Sequence, residues 1–186
     1  MQVVRSANDW RTPPAQRQSI GQNTAVLDAV TGAIHLLFAR NDSVIFSTSS
    51  SDHGATWRKP KLVLDRIAGC SAPAGEHCWL APTFSAVQLR HQRGQYAHHN
   101  GDLVACFDYK LQRSSSPPRL PLRAGGTLLS SDSGASWFVG ARDILSNECA
   151  IAELENGTVV LNARNNLDRG NKTAHRAIAW SHRLEP

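Results

Sequence analysis

Glu148 and Arg164 stand at the two outer ends of one hairpin-like stretch, Glu148-Cys-Ala-Ile-Ala-Glu-Leu-Glu-Asn-Gly-Thr-Val-Val-Leu-Asn-Ala-Arg164. A carboxylate can take up a proton, and a guanidinium can grip an anion through paired N–H donors. The turn between them decides whether they meet. If Glu155-Asn156-Gly157 forms a three-residue loop with Gly157 in the left-handed region, Leu154 pairs with Thr158 and Glu148 falls opposite Arg164 on one face. A two-residue Asn156-Gly157 turn would place them on opposite faces. The three-residue loop is the expectation. On residue types alone, such a pair is a surface ion pair or two solvated side chains.

Other reactive residue types carry less. The stretch from His91 to His99 holds three of the eight histidines, without carboxylate or cysteine partners at ligand spacing, and reads as a solvated loop with no metal. The four cysteines, Cys70, Cys78, Cys106 and Cys149, form no CxxC pair. Cys70 and Cys78 could close a short disulfide loop, but reduced structural thiols are the favoured reading. Pro118-Arg-Leu-Pro121-Leu-Arg123 has the PxxPxR form of an SH3 ligand; between two strands it reads as a connecting loop.

The elements that must position these groups are short strands. Thr24 to Leu27 and Ala33 to Ala39 flank a hairpin at Val30-Thr-Gly32, and Ser43 to Thr48 follows. Phe84 to Leu89 and Leu103 to Phe107 flank a polar stretch, Thr127 to Leu129 follows, and Cys149 to Leu154 and Thr158 to Ala163 flank Asn156-Gly157. Short runs broken by Gly, Pro and Asn predict an all-β sandwich or propeller. No segment sustains a 3.6-residue apolar period.

Two strands run into near-copies of one phrase, Ser50-Ser-Asp52-His-Gly54-Ala-Thr-Trp57 and Ser130-Ser-Asp132-Ser-Gly134-Ala-Ser-Trp137. Both read Ser-x-Asp-x-Gly-x-x-Trp, about 80 residues apart, and periods of about 40 to 50 residues mark propeller blades. Asp can accept backbone N–H groups two or three residues on, Gly supplies positive φ, and Trp buries a ring that pins the turn. An 80-residue interval predicts two blades, the intervening one without a copy. A damaged third copy is read at Arg5-Ser6-Ala-Asn-Asp9-Trp10.

This phrase resembles the Asp box (BNR repeat) of the sialidase, or neuraminidase, family. Asn23 to Phe38, Leu103-Val-Ala-Cys-Phe-Asp-Tyr109 and, most specifically, Asn147-Glu148-Cys149 through Leu161-Asn162-Ala-Arg164 are similar to stretches of the animal-type enzymes. The resemblance covers nearly the whole chain. It implies a six-bladed β-propeller, seen here as a partial propeller of about four blades within one domain, residues 1–186, truncated at both ends. It also implies an exo-α-sialidase, a retaining glycoside hydrolase with a Tyr nucleophile in place of a second carboxylate. Three arginines clamp the substrate carboxylate in that family, and an Asp acts as acid and base.

Carried over position by position, Glu148 matches the base that serves the nucleophilic Tyr. Arg164 matches one arginine of the triad, and Tyr109 an aromatic facing the glycerol side chain of the sugar. Arg176-Ala-Ile-Ala-Trp-Ser181 resembles the start of another blade whose box breaks off. The acid/base Asp, the nucleophilic Tyr and the other two arginines have no counterpart in these residues. The resemblance implies sialylated glycans as partners, no cofactor, and self-association through open blade faces. A second reading is a non-catalytic Asp-box propeller that binds glycans or proteins, and a third is a truncated product with no function of its own.

With 20 Lys and Arg against 15 Asp and Glu, the net charge of +5 fits an anionic ligand. The positive charges form no block and do not interleave with aromatics, which argues against nucleic acid. No apolar run reaches the roughly 18 residues of a membrane-spanning helix. If Met1 is the native start, cytosol is the default; if the chain is part of a longer one, a lysosomal or secretory route fits, and sequons at Asn41, Asn156 and Asn171 hint at it.

Overall fold

The computed structural model describes residues 18–68, 70, 78–111, 122–142, 147–165 and 176–181. The damaged copy at Arg5–Trp10, the Asn171 sequon and most of the Pro118–Arg123 segment lie outside them. Strands β1 (Ile20–Leu27), β2 (Ile34–Arg40), β3 (Val44–Ser50) and β4 (Lys61–Leu64) form the first sheet, paired in chain order. Strands β5 (Leu80–Gln88), β6 (Leu103–Leu111), β7 (Leu122–Ser130) and β8 (Phe138–Val139) form the second in the same way. The third contains β9 (Cys149–Glu153), β10 (Val159–Arg164) and β11 (Arg176–Ser181). Every pairing among the described residues is antiparallel. The all-β expectation therefore stands at the level of three small antiparallel sheets.

Sheet two lies between the other two, and β6 shows why. Its side chains alternate: Ala105, Phe107 and Tyr109 pack with Leu37 and Ile45 of sheet one, while Val104 and Cys106 pack with Cys149, Ile151, Leu161 and Ala163 of sheet three. A strand buried on both faces reads as a continuous apolar run, here Leu-Val-Ala-Cys-Phe. Polar groups also join the sheets. The Thr83 hydroxyl donates to the Cys149 carbonyl at 2.9 Å, and Ile151 N–H donates to the Ser85 hydroxyl at 2.9 Å.

Three expectations need correction. Among the described residues, the interval between the repeated turns holds β4 to β7 and a single step from the first sheet to the second. Strand β11 does not start a new sheet. It pairs with β10 from Arg164↔Arg176 to Val159↔Ser181, so Ser181 ends a third strand just as Ser50 and Ser130 do. Cys70 and Cys78 form a disulfide, their Cα atoms 5.9 Å apart and well within bridging reach.

The hairpin between β9 and β10 has the three-residue form. Glu153 faces Val159, the Gly157 N–H donates to the Leu154 carbonyl at 2.8 Å, and Gly157 sits at φ +84°. Glu153 fastens this hairpin to sheet two, accepting from the N–H groups of Arg90 at 2.6 Å and His91 at 3.0 Å. The histidine stretch beyond is a 3₁₀ turn, Gly94–His99.

Candidate functional site

In each sheet the first and third strands run in one direction and the second returns. The starts of β5, β7 and β9 and the ends of β6 and β10 therefore gather at one end of the molecule. The repeated turns, which follow β3 and β7, gather at the other. Glu148 and Arg164 belong to the first end. The Arg164 N–H donates to the Glu148 carbonyl at 2.9 Å, and their side chains form an ion pair at 3.3 Å. Both are substantially exposed, at 47% and 58% of their side-chain surface, so solvent screens the attraction. Arg176 stands opposite Arg164 on the next strand and turns to Asn162, donating to its side-chain oxygen at 2.8 Å.

Beneath this row is a polar cluster that the sequence reading did not assign. Asp108 is 1% exposed, and one carboxylate oxygen accepts from Arg123 Nη1 at 3.1 Å. Its other oxygen, Oδ1, has no partner among the described residues. The same Arg123 nitrogen donates to the side-chain oxygen of buried Asn147 at 3.1 Å, and the guanidinium lies 4.0 Å over the Trp79 ring. Burial pushes the Asp108 carboxyl up to about 7; Arg123 pulls it back, and the nearby Glu148 charge adds to the rise. The pair thus poises a proton near neutrality beside a fixed guanidinium. The signal was present in the chain, since an Asp interrupting a doubly buried apolar run needs a cationic partner.

Tyr109 is placed differently from the expectation. It is fully buried in the core between sheets one and two, stacked on Phe107 with ring centroids 5.6 Å apart. Strand alternation turns it to the face opposite Asp108, so the structure does not bring it to Glu148 and Arg164. Asp108 occupies the side that faces them. Cys149, next to Glu148, is buried with its thiol 3.3 Å from the Thr83 hydroxyl. A hydrogen bond to the Cys149 thiol, followed by burial, pushes the Cys106 thiol well above its ordinary value.

The repeated turns are built alike. In the first, the Ser50 hydroxyl accepts from Gly54 N–H at 2.8 Å and donates to Asp52 at 2.7 Å; Asp52 accepts from the Thr56 N–H at 2.8 Å and hydroxyl at 2.5 Å. In the second, Ser130, Asp132, Gly134 and Ser136 repeat these bonds at 2.8, 2.8, 2.9 and 2.5 Å. Two details differ from expectation: Asp reaches four residues on, and a hydroxyl at Thr56 or Ser136 adds a fifth bonded position to the turn. These bonds hold the Asp52 carboxyl down at about 2, led by the Thr56 hydroxyl. The tryptophans diverge. Trp57 Nε1 donates to the Gly54 carbonyl at 3.1 Å, whereas the buried Trp137 Nε1 has no partner among the described residues.

The stacked antiparallel sheets define a sialidase-like all-β fold. A Hadza microbial sialidase superposes with a TM-score of 0.68 at 19% identity, over 99% of this chain and 35% of its own. A protein of unknown function from Dyadobacter fermentans superposes with a TM-score of 0.57 at 17% identity, over 88% of this chain and 54% of its own. A leech intramolecular trans-sialidase gives a TM-score of 0.44 at 18% identity, over 69% of this chain and 17% of its own. At such identities the likeness is one of fold. This chain spans about a third of the length of the microbial sialidase it matches. No family model matches it.

Proposed function

We propose that this chain is a portion of an exo-α-sialidase, a retaining hydrolase of terminal sialic acid on glycans, forming one domain of propeller blades with Asp-box turns at one end. The observation that carries the reading is the Glu148–Arg164 pair, opposed across β9 and β10 at the end remote from those turns. In this reading Glu148 serves as the base for a nucleophilic tyrosine, and Arg164 is one arm of a clamp on the sugar carboxylate. A neutral tyrosine suits a substrate that carries a carboxylate beside its anomeric carbon, where an anionic nucleophile would be repelled. The fold likeness to a microbial sialidase supports this reading. So does the net charge of +5, which favours an anionic ligand.

These residues match one glutamate and one arginine of the catalytic set, so the 186-residue chain should turn over no fluorogenic sialoside, since losing members of a cooperating set costs orders of magnitude. Binding is the discriminating test. Sialic acid titrated into the chain should bind, and Arg164→Ala should weaken it by about 1.5 to 3 kcal/mol, as for a hydrogen bond to a charged group. Undiminished binding by that variant would remove the clamp from the reading.

A non-catalytic glycan- or protein-binding module is the second reading. It is favoured by the direct engagement of Glu148 with Arg164, which leaves the carboxylate already paired. It expects Glu148→Ala to leave ligand affinity unchanged.

A further inference from the structure

At the other end of the molecule, a cleft of about 90 Å³ opens between sheet one and the second repeated turn. The register builds its floor. His35 lies opposite Ser49, Leu37 opposite Ser47, and Lys61 opposite Ser47, all on the face that meets sheet two. The Arg58 N–H bonds the Ser49 carbonyl at 2.9 Å, which carries Arg58 and Lys59 to the rim. Ser133 and Gly134 close the opposite side, with the His35 ring against Gly134.

The charge here is one-sided. Arg58, Lys59 and Lys61 converge on the cleft. The carboxylate within electrostatic reach of His35 is Asp28, already bonded by Val30 at 2.9 Å, Thr31 at 2.7 Å and Gln88 at 2.6 Å and engaged by the Ser133 side chain from across the cleft. His35 itself is 4% exposed, and its Nε2 has no partner among the described residues. A concave wall lined by one sign of charge concentrates counter-ions. Guanidinium and ammonium donors from Arg58, Lys59 and Lys61, with the Ser47 and Ser49 hydroxyls beside them, match the several oxygens of a tetrahedral anion better than a planar carboxylate, which a single fork satisfies. The space holds several waters or one such group.

We propose that this cleft binds a phosphate or sulfate group, at a site separate from Glu148 and Arg164. The group arrives either as the free ion or as an ester on a sugar. The His35 ring and the Ser133 amide report occupancy, and Arg58 and Lys61 supply the attraction.

The test is an NMR titration of the full chain with sodium sulfate, sodium phosphate and a sulfated monosaccharide, each against sodium chloride at matched ionic strength. The expected result is saturable shifts at His35 and Ser133 with the tetrahedral anions and none with chloride. Arg58→Gln combined with Lys61→Gln removes two charged contacts and should weaken binding by at least about tenfold, the effect of losing even one, while the remaining amide spectrum shows the fold intact. Arg164→Gln should bind as the parent does, which separates this site from the proposed sialic acid site. Tighter binding of the sulfated sugar than of sulfate identifies an ester, and equal binding identifies the free ion. Shifts that grow without saturating, that chloride reproduces, or that survive the double substitution overturn the proposal.

Discussion

Replacing Asp108 by asparagine should remove a pH dependence of stability that the parent chain carries between about pH 4 and pH 7. Asp108 is 1% exposed, and one of its two oxygens bonds nothing among the described residues. Burial, the largest influence, pushes its carboxyl up to about 7, against the opposing pull of Arg123. The folded chain therefore holds a proton that the unfolded chain has already released above about pH 4. Stability falls as pH rises through that window and levels off above the folded pKa. A gap of roughly three units, at 1.36 kcal/mol each, makes the full effect on the order of 4 kcal/mol.

Asparagine keeps the shape and the oxygen facing Arg123 while fixing the side chain in a neutral form. Urea unfolding of both proteins at about pH 4.5, 6 and 7.5, extrapolated linearly, gives the comparison. The two should lie within about 1 kcal/mol of each other near pH 4.5, with the variant more stable by about 2 to 4 kcal/mol near pH 7.5. His35 acts with the opposite sign. Burial pushes its pKa down, so its contribution grows as pH rises toward the ordinary histidine value, but it is common to both proteins and cancels in the difference. The carboxylates Asp28, Asp52 and Asp132 are held below their ordinary values, so their stabilisation is lost only at more acid pH. A difference that stays constant with pH, or an Asp108 carboxyl ¹³C titration centred in the usual carboxylate range, would refute the reasoning.

Gly134→Ala should cost more than Gly54→Ala. Both glycines have positive φ, but a Cβ at Gly134 enters the His35 ring, whereas at Gly54 it meets only Trp57 at 3.7 Å. Chemical denaturation should show about 1 to 2 kcal/mol for Gly54, from backbone strain, and clearly more for Gly134. Trp57→Phe should lose about 0.5 to 1.5 kcal/mol of hydrogen-bond stabilisation beyond the packing change. Trp137→Phe should show no such loss, because its indole N–H bonds nothing among the described residues. A double-mutant cycle on Glu148 and Arg164 should return a coupling of no more than about 1 kcal/mol in thermal or urea unfolding, as for other exposed pairs. A larger value would mean that the pair is a structural clamp.

Local rules predicted most of the sheet architecture. Turn residues bounded β1, β2, β9 and β10 to within a few positions, and Asn156-Gly157 with the alternation around it fixed the register that opposes Glu148 and Arg164. What local rules missed depends on contacts distant in the chain. Strands β4 and β8 are short edge strands, four and two residues long, whose identity comes from pairing with β3 and β7 and leaves little mark in composition. The pattern of Arg176 to Ser181 suits any edge strand, and only the ladder to β10 makes it a third strand and not a first. Tyr109 and Asp108 are adjacent, and a one-residue choice of face separates core from site. By residue type the aromatic suits a ligand contact, yet burial on both sides of β6 assigns it to packing and leaves the carboxylate facing Glu148.

The same meander explains why the two ends of the molecule can diverge. At the turn end, side-chain bonds within each repeat stabilise a fixed backbone path, and Gly134 against His35 ties the second turn to the first sheet. That end gains order from local sequence. At the opposite end, strand starts and ends meet across sheets, so Trp79, Asp108, Arg123, Asn147, Glu148 and Arg164 converge from β5 through β10 without any local motif joining them. A buried carboxylate there is costly unless a cation accompanies it, and Arg123 supplies that cation at 3.1 Å while stacking on Trp79. Loss of Arg123 would leave Asp108 protonated at neutral pH and remove the bond to Asn147, the residue that precedes Glu148. If Glu148 and Arg164 form the proposed sialic acid site, this bond makes Arg123 a positioning residue for Glu148, and Arg123→Met should weaken sialic acid binding although Arg123 stands on β7 of the neighbouring sheet. Binding by Arg123→Met equal to that of the parent, with the fold intact, would confine Arg123 to a role in packing.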